Sequence, residues 1–186
     1  MFDVVELRAW NEYVRLLVGL LALINPLTVL PIFLGLVHGR AEAEKRHISS
    51  VAAVTVLVTL LIFTYFGAAL LDLFAITIDS FRIAGGILLL LTALEMMRAK
   101  TGARDAADDT QVSITSIGIV PLGIPLLAGP GAIVTTIVDS TALPGFAHKI
   151  AVSVVILLVA IVVYVSLRIS AKAGAYMSPT AMTIFN

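Results

Sequence analysis

Two dipeptides, Asn25-Pro26 and Gly129-Pro130, are the residues whose types and positions best suit a binding site built from backbone groups. Each predicts the start of a helix, because asparagine is favoured just before a helix, glycine is accepted there, and proline fits the first helical position. The start of a helix presents unpaired N–H groups and the positive end of the helix dipole. Two such ends placed together would bind an anionic group without a buried cation, and carbonyl groups that end the preceding helices would bind an ammonium group.

Both dipeptides interrupt stretches that are apolar enough to cross a membrane. Of the 186 residues, 60% are hydrophobic and 13% are charged, against about 25% charged in a typical soluble domain. Four stretches contain no Asp, Glu, Lys or Arg and are long enough to span a bilayer: 16–37, 49–71, 112–138 and 150–167. A fifth, from about Phe81 to Met97, carries only Arg82 and Glu95 near its ends. The sequence therefore predicts an all-α, polytopic membrane protein.

The fourth stretch is too rich in helix breakers to form one straight helix. It contains Pro121, Pro125 and Pro130, and proline removes an amide donor and clashes with the preceding turn. A broken backbone is not tolerated against lipid, so the break must face protein or a water-filled cavity. We therefore expect two half-helices joined near Gly129, matching a break at Asn25 in the first span. The alternative is that these prolines only kink the helices.

A polar linker, 99–112, divides the chain into two halves with the two breaks at corresponding places. The first half, 1–98, has predicted spans at about 14–37, 48–71 and 80–98, and the second half, 113–186, has spans at about 113–138 and 148–169 and the start of a third. An odd number of spans per half requires that the halves be inverted relative to each other, which is a common plan for transporters with a site at the midplane. We expect the natural protein to continue beyond Asn186 into a sixth span.

The basic residues predict the orientation. Eight of the 12 Lys and Arg residues fall on one side of the predicted spans and four on the other. The side with more positive charge is expected to be cytoplasmic. This places the N-terminus outside a multi-pass protein of the cytoplasmic membrane.

The candidate substrate site follows each break. Its residues are Asn25, Pro26, Leu27 and Thr28 in the first half, and Gly129, Pro130, Gly131 and Ala132 in the second. A zwitterionic amino acid would satisfy both the amide donors and the carbonyl acceptors of such a site. The hydroxyl groups of Thr135 and Thr136 lie within two helical turns, and the small residues around Gly129 indicate room only for something small.

Three charged residues are candidates for coupling or gating. Asp79 opens the third predicted helix and could pair with Arg82, although an arginine at the membrane interface is an equal alternative. Glu95 lies near the far end of the same span and is the least supported of the three. Gly85 and Gly86, on the same span, are expected to be positions of close helix packing.

Nothing in the sequence supports an enzyme, a metal site or a cofactor. The chain has no cysteine, and its three histidines, His38, His47 and His148, lack ligand spacing and are expected in loops. We therefore expect no catalytic residues, no metal and no cofactor. The formal net charge is zero, so no nucleic-acid partner is expected either.

Three motifs together resemble the MarC family of bacterial and archaeal membrane proteins, also described as small neutral amino acid transporters. They are Ile24-Asn25-Pro26-Leu27 with Pro31-Ile32-Phe33, Asp79-Ser80-Phe81-Arg82-Ile83-Ala84-Gly85-Gly86-Ile87-Leu88-Leu89, and the run from Pro121 to Ile133. The resemblance implies six spans with both termini outside, and transport of glycine- or alanine-like substrates coupled to an H⁺ or Na⁺ gradient. The sequence departs from the family by ending before the sixth span. The oligomeric state, a homo-oligomer included, is left open.

Two other functions fit the same pattern. A passive channel would also use broken helices, but its flux would neither saturate nor accumulate substrate against a gradient. A membrane-embedded scaffold or assembly protein would use the prolines only structurally and would not be stabilised by a substrate.

Overall fold

The computed structural model describes residues 10–99 and 128–176, and all regular secondary structure in these segments is helical. The helices are α1 (Trp10–Ile24), α2 (Pro26–Val37), α3 (Glu42–Leu73), α4 (Ile78–Ala99), α5 (Pro130–Ser140) and α6 (Phe146–Tyr176). The prediction of an all-α fold is confirmed. The predicted linker after Ala99, the first part of the fourth span and the segment from residue 177 lie outside the described residues.

Three stretches of described helix are long and apolar enough to cross a membrane. They are Trp10–Val37, Glu42–Leu73 and Phe146–Lys172, with mean hydropathies of 2.3, 2.3 and 3.1. Helix α3 begins before its predicted span at 48–71, because Glu42 and Glu44 in its first turn favour a helix start. Helix α4 has 22 residues and coincides with the span predicted at 80–98.

Helix α6 is the centre of the packing, and α1, α2, α3 and α5 all contact it. Its fully buried residues are Val152, Ile156, Val159, Val163 and Leu167. Their spacing of three and four places them on one face of the helix. The other faces of the long helices carry exposed apolar side chains, as expected of surfaces that meet lipid.

Glycines allow α5 to approach α3 and α4 closely. A side chain at Gly85 would overlap Val134, and a side chain at Gly67 would overlap Ile137. Small residues at such crossings are the usual means of close helix packing in membranes. Gly86 has open space where a Cβ would lie, so of the two glycines expected to pack closely, only Gly85 does.

Contacts at the two ends of α6 define two faces of the bundle. The start of α6 meets the start of α1 and the end of α5, where His148 is hydrogen-bonded to Tyr13 and Asp139. The end of α6 meets the start of α3, where Arg168 lies beside Glu42. We call these ends the His148 face and the Arg168 face. Helix α2 therefore runs from the Asn25 break toward the Arg168 face, and α5 runs in the opposite direction, toward the His148 face.

Helix boundaries recur at equal intervals in the two halves. Helix α3 begins 16 residues after Pro26, and α6 begins 16 residues after Pro130. Helices α3 and α6 also have nearly the same length, 32 and 31 residues. The inverted repeat stays a prediction, because the segments that would complete the second half lie outside the described residues.

Candidate functional site

The first span is broken at Asn25, which separates α1 from α2. Its backbone has φ 41° and ψ 65°, in the left-handed region. The Asn25 N–H donates to the Leu21 carbonyl at 2.9 Å, and the Asn25 carbonyl accepts from the Thr28 N–H at 3.1 Å. The break is therefore a one-residue turn, with backbone hydrogen bonds on both sides of it.

The break lies where the sequence predicted it, but the predicted capping role of the Asn25 side chain is wrong. The side chain makes no capping hydrogen bond. Asparagine suits this position for a different reason, because it is one of the few residues other than glycine that readily adopts the left-handed conformation. Its amide is therefore not used in capping α2.

The second helix start lies at Gly129-Pro130. Gly129 has an extended backbone, with φ −57° and ψ 164°, and Pro130 is the first residue of α5. The Gly129 carbonyl accepts from the N–H groups of Ala132 at 3.0 Å and Ile133 at 3.3 Å. The start of α5 thus has the proline-led geometry expected from the sequence.

The structure brings the two breaks together. Ile24, Ala128 and Ala132 belong to one buried cluster and are each at most 2% exposed. A Cβ at Gly131 would lie 3.5 Å from the Leu23 side chain, so the first turn of α5 packs against the last turn of α1. The end of α1 at the first break and the start of α5 at the second are therefore neighbours inside the bundle.

The eight predicted substrate-site residues differ in their burial. Ala132 is buried, Asn25, Pro26, Gly129 and Gly131 are half-buried, and Leu27, Thr28 and Pro130 are exposed. The side of the site near Asn25 and Gly129 is therefore inside the bundle, whereas Leu27 and Thr28 lie on its outer surface. Gly131 has no room for a side chain, because a Cβ there would overlap the Leu89 side chain of α4.

Two threonines follow on α5. Thr136 is fully buried, and its Oγ1 has no hydrogen-bond partner within the described segments. Thr135 faces a cavity of about 520 Å³ on the His148 face. The buried hydroxyl of Thr136 lies about 9 Å along the helix from Pro130.

The cavity on the His148 face lies between the starts of α1 and α4 and the end of α5. Charged residues of both signs line it: Glu12 and Asp139 are acidic, and Arg15 and Arg82 are basic. Its uncharged lining residues are Leu16, Gly86, Leu89, Val134, Thr135 and Val138. Its volume is within the range of about 300–1,000 Å³ typical of small-molecule sites. The cavity is open to solvent and contains groups that attract both ends of a zwitterion.

The structure places the three gating candidates at α4. Arg82 approaches Asp79 to 3.7 Å, with 57% and 88% of the two side chains exposed, so this pair lies at the surface. Arg82 also lines the cavity. Glu95 belongs to α4, but its side chain lies outside the described residues.

His148 was missed by the sequence analysis, which expected it in a loop. It is the third residue of α6 and only 2% exposed. Its Nδ1 lies 2.9 Å from the Tyr13 hydroxyl, and its Nε2 lies 2.8 Å from the Asp139 carbonyl. The signal that could have found it is the apolar stripe of α6, since His148 lies one turn before Val152 on the same face. His47 was also wrongly expected in a loop, because it lies within α3.

The Arg168 face is held by charged side chains. Lys45 donates to Glu42 at 3.0 Å, Arg168 lies 3.9 Å from the other Glu42 oxygen, and Arg40 lies 3.7 Å from Glu44. Of these contacts, the one between Arg168 and Glu42 connects the end of α6 to the start of α3. They are more exposed than the hydrogen bonds of His148.

Comparison with known proteins identifies the family. The sequence model of a family described as MarC family integral membrane protein matches residues 10–186. The chain belongs to the MarC family. It is therefore an integral membrane protein, as its composition and its three candidate spans predict.

Relatives of this MarC protein occur in bacteria and archaea. A UPF0056 membrane protein of Buchnera aphidicola is 40% identical over 149 residues, covering 78% of this chain and 69% of the relative. The UPF0056 membrane protein YhcE of Escherichia coli is 41% identical over 133 residues, covering 69% of this chain and 61% of the relative. A UPF0056 membrane protein of Pyrococcus abyssi is 37% identical over 135 residues, covering 73% and 67%. The chain thus matches less than two thirds of the E. coli protein. No solved structure matches the chain significantly.

Proposed function

We propose that this MarC protein is a secondary transporter that moves small neutral amino acids, of the size of glycine and alanine, by alternating access. The observation that carries the proposal is the interrupted first span, in which α1 ends beside the left-handed Asn25 and the start of α5 packs against it. Broken helices whose ends meet inside the membrane are a recurrent construction of transporter substrate sites.

The chemistry of the two helix starts suits a zwitterion. The starts of α2 and α5 carry the partial positive charge of their helix dipoles, which attracts a carboxylate. The N–H groups of Thr28, Ala132 and Ile133 are bonded to the Asn25 and Gly129 carbonyls, so the attraction proposed here comes from the dipoles and not from these donors. Carbonyl groups at the end of α1 attract an ammonium group. Such a site avoids a buried side-chain ion, which would cost several kcal/mol to transfer from water to the bilayer interior.

The buried hydroxyl of Thr136, in the second half of the chain, supports the proposal of a polar ligand. Its hydroxyl is fully buried on the helix that begins at Pro130. A buried hydroxyl without a partner costs about 1–3 kcal/mol, so a purely structural role would favour valine at this position. A hydrogen bond to the substrate would offset that cost in the bound state.

The orientation and the driving force are parts of the same proposal. We infer that the protein lies in the cytoplasmic membrane with the His148 face outside and the more basic Arg168 face inside. The cavity between Arg15, Arg82 and Asp139 would then be the outer entrance. Uptake would be driven by an H⁺ or Na⁺ gradient.

The direct test is counterflow of labelled alanine in proteoliposomes, using both this chain and one extended through the predicted sixth span. We expect saturable exchange with unlabelled alanine, glycine and serine. Asn25→Val should lower the exchange rate at least tenfold, because a β-branched residue is strained at φ 41°, while Asn25→Gly should restore most of it.

Asn11→Val provides a control, since Asn11 is an exposed residue of α1, the helix that ends just before Asn25. Equal exchange by correctly inserted Asn25→Val and wild-type protein would remove Asn25 from the site. The absence of exchange by both wild-type chains with all three amino acids would favour the scaffold.

A further inference from the structure

His148 is buried where the first and second halves meet. Two of its neighbours belong to different parts of the chain, Tyr13 to α1 and Asp139 to α5. The other two histidines, His38 and His47, are exposed. His148 is thus the buried histidine of the described segments, and histidine is the side chain whose ordinary titration falls between about pH 5 and 8.

The hydrogen bonds of His148 specify which nitrogen gains a proton. The Asp139 carbonyl can only accept, so Nε2 must carry a hydrogen. In the neutral ring, Nδ1 is then an acceptor, and the Tyr13 hydroxyl donates to it. When Nδ1 is protonated it becomes a donor, and the same Tyr13 oxygen can accept from it after its O–H rotates. The group can therefore bind one proton at Nδ1 without losing either partner.

The hydrogen bonds of His148 connect proton binding to α5, the helix that carries the second break. The Asp139 carbonyl lies in the last turn of α5, whose first residue is Pro130. Helix α5 has 11 residues and would transmit a displacement at Asp139 to its start about 14 Å away. Tyr13 lies on α1, which ends at the Asn25 break. A change in the Tyr13–His148 hydrogen bond thus acts on both half-helices of the proposed site.

Charges of both signs surround this end of the bundle. They are Glu12 and Arg15 on α1, Asp72 at the end of α3, Asp79 and Arg82 on α4, Asp139 on α5 and Lys149 on α6, whereas α2 has no charged residue. The end of α5 favours a cation and the start of α6 disfavours one, so the two helix dipoles oppose each other at His148. Glu12, the chain neighbour of Tyr13, and Asp139, whose carbonyl accepts from His148, both line the open cavity. The cavity thus extends to within one residue of Tyr13 and to one hydrogen-bond partner of His148.

We propose that His148 is the proton-binding site that couples transport to a proton gradient, with Tyr13 as the positioning residue that transmits its state to α1. This inference rests on the proposed transport function and names its coupling ion. The proton comes from water on one side of the membrane, binds Nδ1, and leaves to water on the other side after the halves have moved. No other reactant is consumed.

The first test compares two assays of His148→Gln in proteoliposomes. A glutamine amide can donate to the Asp139 carbonyl and accept from Tyr13, but it does not titrate in this pH range. We expect counterflow to persist at a reduced rate with no pH dependence between pH 5 and 8, and accumulation driven by a pH gradient to be lost. His47→Gln, at an exposed site, should keep wild-type behaviour in both assays.

Gradient-driven accumulation by His148→Gln equal to that of wild type would overturn the coupling role. A wild-type protein that shows no counterflow at all would instead contradict the proposed function, so the two failures are distinguishable.

The second test does not depend on transport. In a His38→Gln, His47→Gln background, carbon-13-labelled histidine reports His148 alone. We expect its resonance to shift with pH in detergent or nanodiscs, with the Nε2–H tautomer at high pH, and Tyr13→Phe to displace the pH midpoint. A resonance that does not change between pH 5 and 9, or that is unaffected by Tyr13→Phe, would overturn the proposal.

Discussion

The two ends of α6 are held by different kinds of contact. At the His148 face, hydrogen bonds of 2.9 and 2.8 Å join His148, which is 2% exposed, to Tyr13, which is 8% exposed, and to the half-buried Asp139. At the Arg168 face, the ion pair spans 3.9 Å, longer than a hydrogen bond, with 58% of the Glu42 side chain but only 22% of the Arg168 side chain exposed. The first contact is directional and shielded, whereas water and salt weaken the second.

This difference has a consequence for motion between the halves. An exposed ion pair contributes about 0–1 kcal/mol to stability, while a buried group deprived of its hydrogen-bond partner costs about 1–3 kcal/mol. Both contacts join the first half of the chain to the second. We therefore expect the Arg168 face to separate more readily than the His148 face.

The largest expected effect is that of His148→Ala. The change leaves the buried Tyr13 hydroxyl without its partner, which costs about 1–3 kcal/mol, and it adds the cost of the cavity left by the imidazole ring. We expect the largest fall in thermal unfolding temperature in detergent among the single variants of the two faces. A fall no larger than that of a variant at the Arg168 face would contradict the expected difference in strength between the two faces.

Tyr13→Phe should have an intermediate effect. It keeps the ring in place and removes only the hydroxyl that bonds Nδ1, so about 1–3 kcal/mol should be lost. Tyr65→Phe is a matched control, because its hydroxyl contacts Ser153 at 3.1 Å in a less buried position. Thermal unfolding of the two variants should show a smaller loss for Tyr65→Phe, and the reverse order would contradict the burial argument.

Glu42→Gln should have the smallest effect, below about 1 kcal/mol. The difference between wild type and variant should shrink further between low and high salt, since exposed charges are screened within about 10 Å at 0.1 M salt. Tyr13→Phe should show no such dependence. Unfolding temperatures of both variants at several salt concentrations would test this, and a salt-independent Glu42→Gln effect would show that the pair is more buried than its exposure indicates.

The spans and the Asn25 break could be predicted because their signals are local. Charge-free length identifies a membrane helix, and proline identifies a helix start from its missing amide hydrogen. The function of the Asn25 side chain could not be predicted, because asparagine is favoured both for capping and for left-handed backbone. The exposure of Leu27 and Thr28 depends on the direction in which that turn sends α2, which no local pattern specifies.

His148 shows the limit of local reasoning most clearly. Its flanking Gly145 and Lys149 are typical of a loop at a membrane surface, and its partner Tyr13 is 135 residues distant in sequence. Only the packing of α1 against α6 brings the two together. The roles of Asp79, Arg82 and Glu95 in gating stay predictions.

The one-residue turn at Asn25 also makes α2 a short lever arm. The helix has 12 residues, so it is about 18 Å long, and a rotation of about 10° around Asn25 would carry its far end about 3 Å. A displacement of that size equals the length of a hydrogen bond, and it requires adjustment of only a few backbone dihedrals. A rotation that is small at Asn25 would thus become, at the far end of α2, a displacement large enough to admit or exclude a water molecule.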